Sequence, residues 1–147
     1  MSTETTEATR IEELAGRYSD AWNSQDLDAI MNLHTDDCVF VAHAEGTSPA
    51  EGSEAVREAF AGYLALLPDI NFAERALRIG EDHWVAESTM TGTLAGSLEL
   101  EGERLGSSGT RVEVACVDVI EVRDGLVARK HTYLDTLAMQ RQLGAAR

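Results

Sequence analysis

Up to Pro68 the apolar residues of this 147-residue chain recur at three- and four-residue steps, and beyond it they alternate. Ile11, Leu14, Ala15, Tyr18 and Trp22 share one face of a helix beginning near Ala8. Asp26 is placed to cap a second helix reaching about Thr35, with Leu27, Ile30, Met31 and His34 on one side, and "CVFVAHA" then reads as a strand. Ser53 can cap a third helix whose stripe is Val56, Ala59, Phe60, Tyr63, Leu64 and Leu67, and Pro68 ends it. The two-residue period that follows predicts strands over 70–79, 83–94, 97–103, 110–122 and 126–134. "EGERLGSSG" forms a loose hairpin loop between them and "RDG" a tight one. Asp135 can cap a closing helix over "TLAMQRQLG".

Helices followed by a run of antiparallel strands predict an α+β fold in which a curved sheet wraps around the N-terminal helices. Residues 8–147 are long enough for one domain with a real core, and the polar, acidic residues 1–7 read as a disordered tail. The net charge of −14 is spread along the chain, so nucleic acid and anionic lipid are repelled as partners. With no apolar span or leader-like segment, the expected location is cytoplasmic. Cys38 and Cys116 lie in apolar strand patterns and read as free buried thiols.

One position breaks the pattern. Along "RVEVACVDVIEVR" the side chains of Val112, Val114, Cys116, Asp118, Ile120 and Val122 share a face, and Asp118 is its single charge. An ionised carboxylate unpaired in a core costs several kcal/mol, so this face is expected to line a cavity. Without a cationic neighbour on that face, Asp118 is expected to titrate above the ordinary carboxylate value.

The stretches "RYSDAWNSQDLDAIMNLHTDDCVFVAHAEG", "GSEAVREAF" and "VDVIEVRDGLVARKHTYLD" resemble the nuclear-transport-factor-2-like superfamily, in particular its SnoaL-like branch, over residues 11–144. The resemblance implies a cone of bent sheet closed by helices, an apolar pocket with Asp118 pointing into it, and a homodimer paired through the outer sheet face. It implies no cofactor. By analogy with ketosteroid isomerases, Tyr18 and Asp118 occupy the two oxyanion-binding places, while Ala42 stands where the proton-shuttling aspartate belongs and His43 follows one step on. The residues that limonene epoxide hydrolases use are replaced by Ser88, Met90, Thr132, Phe40 and Ala42. In SnoaL-type cyclases the acid/base aspartate near the end of the last strand matches Asp135, which reads equally well as a helix cap.

The expected activity is acid/base proton transfer next to a carbonyl of a small hydrophobic molecule, giving aldol-type cyclisation or isomerisation. A binding or dimerisation module of the same fold is the alternative. Asp118, Tyr18, Asp135, His43 and His131 are the catalytic candidates, and His34 is expected to pack as a ring between helix and sheet. Phe40, Trp22, Trp84, Met90, Thr132 and Cys116 are the expected substrate-contacting wall, suited to a flat polyketide or steroid-like ring system. The histidines lack metal-ligand spacing, so no metal is expected.

Overall fold

The protein is described here by a computed structural model, over residues 6–44, 47–100 and 102–144. Helix α1 (Glu7–Asn23) is capped by Thr6, whose hydroxyl accepts from Thr9 N at 3.0 Å. The cap places residues 6 and 7 in the helix start rather than the expected tail; residues 1–5 lie outside the described residues. Asp26 caps α2 (Leu27–Met31) as expected, accepting from Ala29 N at 3.0 Å.

That helix stops before His34, which instead opens strand β1 (His34–Ala42). The reason is pairing: Leu33 O accepts from Val127 N, and His34 sits in register with Val127. After β2 (Ala50–Glu51) comes α3 (Ser53–Leu66). Its N-cap is Gly52 at φ 89°, not Ser53, and no side chain caps it. Strands β3 (Asn71–Ile79), β4 (His83–Thr93), β7 (Arg111–Arg123) and β8 (Leu126–Leu134) follow the alternating pattern, with β5 (Leu98–Leu100) and β6 (Glu103–Leu105) between them. The stretch expected as a loose loop from 101 onward therefore contains β6, paired antiparallel with β5 as a separate two-stranded sheet. Asp124 and Gly125 of "RDG" both take positive φ, 54° and 76°, as the two central residues of a tight twisted hairpin require. Helix α4 (Thr136–Gln142) closes the chain.

The main sheet has the order β2-β1-β8-β7-β4-β3. All its pairs are antiparallel except β1 with β8, which run parallel, so the α+β fold has the expected curved sheet, antiparallel but for that one pair. Ile11, Leu14, Tyr18 and Trp22 of α1 and Val56 and Phe60 of α3 are buried against one sheet face. On β7 that face is the even one: Val112, Val114, Cys116, Asp118 and Ile120 are all buried. No helix among the described residues is long and apolar enough to cross a membrane.

Candidate active site

Between α1, α3, α4 and the even face of the sheet lies a cavity of about 290 Å³. Its walls are apolar and include Phe40, Phe60, Leu66, Leu67, Ile70 and Met90; Trp22, Thr132 and Leu134 also line it. Asp118 and Lys130 form its charged end.

Register brings these two together. Asp118 pairs across β7 and β8 with Thr132, and Ile120 with Lys130, so Lys130 is the diagonal neighbour of Asp118 on the same face. Lys130 Nζ donates to Asp118 Oδ1 at 3.0 Å, and Thr132 Oγ1 donates to the same oxygen at 2.5 Å. Among the described residues the other oxygen, Oδ2, has one donor, the Cys116 thiol at 3.7 Å. Both charged side chains are about nine-tenths buried. Burial works against the charge on Lys130, but the Asp118 carboxylate, together with Tyr18 and Cys116, holds the ammonium's pKa above its ordinary value. The expectation of a lone carboxylate without a cation is thereby corrected: the site is a buried ion pair. Lys130 also lies 5.3 Å from the ring centre of Tyr18 and 5.6 Å from that of Trp22, where the ring faces attract a cation.

Tyr18 is buried beside the pair but does not offer its hydroxyl to the cavity. Its oxygen is 3.2 Å from His34 Nε2, and His34 Nδ1 is 2.9 Å from Ile30 O. Nδ1 must donate to that carbonyl, which leaves Nε2 to accept from Tyr18. Burial pushes His34 down to about 4 and Tyr18 up to about 12, so both stay neutral near pH 7. His34 packs its ring against Tyr18 and Phe60, in the role expected of it.

The other candidates separate. His43 lines the cavity at its rim and is exposed; its Nε2 is 2.9 Å from His131 Nδ1, and its ring stacks on Tyr133 at 4.1 Å. His131 and Tyr133 lie on the opposite sheet face from Lys130 and Thr132, so His131 reaches the cavity only through His43. Asp135 is exposed and accepts from Ala138 N at 3.0 Å: it caps α4 and does not line the cavity. Phe40, Trp22, Met90 and Thr132 line the cavity. Cys116 is buried behind Asp118, and burial pushes its thiol up to about 12. Trp84 lines a second, smaller void of about 40 Å³ behind the ion pair, together with Ser19, Glu74 and Ser88. Asp118, Lys130 and Trp22 border both spaces. Among the described residues no cluster of three or more His, Cys, Asp or Glu side chains could hold a metal.

Lys130 is the site residue missing from the sequence reading. It is the chain's only lysine among twelve basic residues, and it shares strand parity with Thr132, already placed on the wall. Those two facts together were the available signal.

The sequence matches the SnoaL-like domain family over residues 15–130. No curated protein matches it. Among solved structures, the chain is similar to a candidate SnoaL-like polyketide cyclase from Jannaschia sp. CCS1, with TM-score 0.82, 22% identity and the whole of both chains covered. A candidate polyketide cyclase from Xanthomonas campestris pv. campestris gives TM-score 0.82 at 18% identity, over 95% of this chain and 100% of that one. A Catenulispora acidiphila protein with a ketosteroid isomerase-like fold, solved with trimethylamine, gives 0.74 at 18%, over 97% and 96%. With the match covering most of its length, the chain belongs to the SnoaL-like domain family.

Proposed function

We propose that the protein is a cofactor-independent enzyme that moves a proton next to a carbonyl of a small hydrophobic compound, giving isomerisation or aldol-type cyclisation. The observation that carries this reading is the Asp118–Lys130 pair at the closed end of an apolar cavity. A carbonyl oxygen placed against Lys130 receives a hydrogen bond from the ammonium. Asp118 Oδ2, which has no strong donor on it, takes the neighbouring C–H proton as the electron pair moves onto that oxygen. Negative charge passes from Asp118 to the enolate while Lys130 stays beside both, so the cavity gains no net charge during the step. The proton then returns to another carbon of the conjugated system, or the enolate carbon bonds to a second carbonyl carbon whose oxygen takes the proton from Asp118.

This assignment replaces the neutral-acid role first expected of Asp118 and gives the oxyanion to Lys130 instead of Tyr18. The test is α-deuteration of a panel of cyclic ketones in D2O, followed by mass spectrometry. Wild type should accelerate exchange, and Asp118→Asn should lose the acceleration by two orders of magnitude or more. Equal exchange in the two proteins would remove Asp118 as the base.

A binding role without catalysis is favoured by one observation: His43, the other base on the cavity wall, is at the rim and engaged by His131. If no ketone exchanges yet ligands bind, that reading stands. The reading includes a cytoplasmic location and a homodimer formed through the outer sheet face, where Val85, Val117, Val119 and Tyr133 are half-buried or exposed. Light scattering at micromolar concentration checks the dimer.

A further inference from the structure

Lys130 has three N–H donors and, among the described residues, one hydrogen-bond acceptor, Asp118 Oδ1. Its side chain is 8% exposed, so bulk water does not reach the others freely. The small void behind the pair has Ser19, Ser88 and Glu74 among otherwise largely apolar walls, and at about 40 Å³ it has room for water on one of them. The remaining donor has only the large cavity to satisfy it, where the walls are mostly hydrocarbon and, among the described residues, no acceptor other than Asp118 is within hydrogen-bond distance. A buried donor left without an acceptor is costly, so a cavity of this kind favours a ligand carrying an oxygen at its inner end.

Charge and size narrow the ligand further. Asp118 already neutralises Lys130, and a carboxylate ligand would add an unpaired negative charge between Phe40, Phe60, Leu67 and Met90. Glu99 at the rim and the chain's −14 net charge oppose an anion before it enters. The cavity's 290 Å³ is about twice the ~150 Å³ of an apolar cavity that takes one benzene ring. Four fused rings, with three times the ring carbons of benzene, need roughly 450 Å³ on that scale. The flat four-ring skeletons that the sequence brings to mind are therefore too large for the space behind the rim.

We infer that the site selects a neutral carbonyl compound of one or two rings, its oxygen seated against Lys130, and excludes four-ring ketones and carboxylates. The inference rests on the proton-transfer reading only for the identity of the site; the selection itself is a matter of binding.

Four probes test it by calorimetry on the wild-type protein: 1-tetralone, naphthalene, 1-naphthoate and androst-4-ene-3,17-dione. Tetralone should bind at least tenfold more tightly than naphthalene, the margin of one hydrogen bond from a charged donor, and the other two should bind more weakly than tetralone by as much or more. Because Lys130 is the only lysine, protein labelled with 15N-lysine gives a single side-chain ammonium signal. Tetralone should shift that signal and naphthalene should not, a readout that needs no variant to fold. The inference is overturned if the four-ring ketone or the naphthoate binds as tightly as tetralone, if naphthalene equals tetralone, or if none of the four binds. Tetralone binding without α-deuteration in any ketone would count against proton transfer and leave this selection standing. Deuteration of the four-ring ketone alone would do the reverse.

Discussion

The floor and the rim of the cavity hold similar chemical groups in opposite physical settings. At the floor, Asp118, Lys130, Thr132, Tyr18 and His34 are fixed by strand register and by hydrogen bonds made away from bulk water. His43 at the rim, and His131, Tyr133 and Asp135 just outside the cavity, make contacts of comparable length, but His43, Tyr133 and Asp135 are exposed. Desolvation makes the difference. A charge at the floor must be answered by another charge, whereas a charge at the rim is answered by solvent, and its neighbour changes little.

The largest effect that can test this contrast is at the ion pair. Replacing Lys130 by Met, or Asp118 by Leu, leaves one buried charge alone and should cost about 3–5 kcal/mol in urea unfolding. The double replacement should recover most of that loss, because both charges go together. Additive losses would mean that the two side chains are not coupled and that the floor is no different from the rim. A drop in Asp118→Leu alone follows from the stranded Lys130 and says nothing about the cavity.

Next in size is a pH effect at His34. Its pKa is near 4 when folded and near 6.5 when free, so between those values the unfolded chain binds a proton that the folded one does not. Stability from this residue is complete above pH 6.5 and falls as pH drops towards 4, by up to about 3 kcal/mol. His34→Gln should flatten that part of the stability profile relative to wild type. Parallel profiles would place His34 among the solvated groups.

Asp135 should behave as a rim residue. Asp135→Ala should cost about 1 kcal/mol for the lost cap, Asp135→Asn almost nothing, and both should keep the ketone exchange rate. A hundredfold loss of exchange in Asp135→Asn with unchanged stability would bring that residue back as acid/base and break the division. The smallest effect is expected at His43: His43→Ala should change stability by no more than about 0.5 kcal/mol. Burial first, and then the neighbouring His43, hold the His131 pKa below its ordinary value, so His131 should titrate higher in the His43→Ala variant, as followed by NMR.

The sequence was most legible where period and burial coincide. The even parity of 112–122 located the inner face, and the Asp118 anomaly located the floor. Asp135 could be read two ways because a cap and an acid use the same carboxylate, and only the Ala138 N–H distinguishes them. Lys130 is hidden in the sequence because its partner lies on another strand. The spacing along β8 gives its face, but only the β7–β8 register shows that it reaches Asp118. His34 was placed on a helix because its i+4 spacing from Ile30 fits one; the pairing of β1 with Val127, more than ninety positions away, overrides that local preference. The helix cap at Gly52 was hidden for a related reason, since Ser53 is a better cap by type and a worse one by position.

The one parallel pair in the sheet also sets an order in time. During synthesis β1, with Cys38 and Phe40 on its inner side, emerges about ninety residues before its long partner β8. Until residues 126–134 leave the ribosome, one long edge of β1 has no strand to bond, and Phe40 has no Lys130 beside it. A contact spanning so much of the chain closes a large loop before it gains anything, so β1–β8 docking should be the slow step of folding. Wall and floor then arrive together, and no shorter nascent chain owns half a cavity.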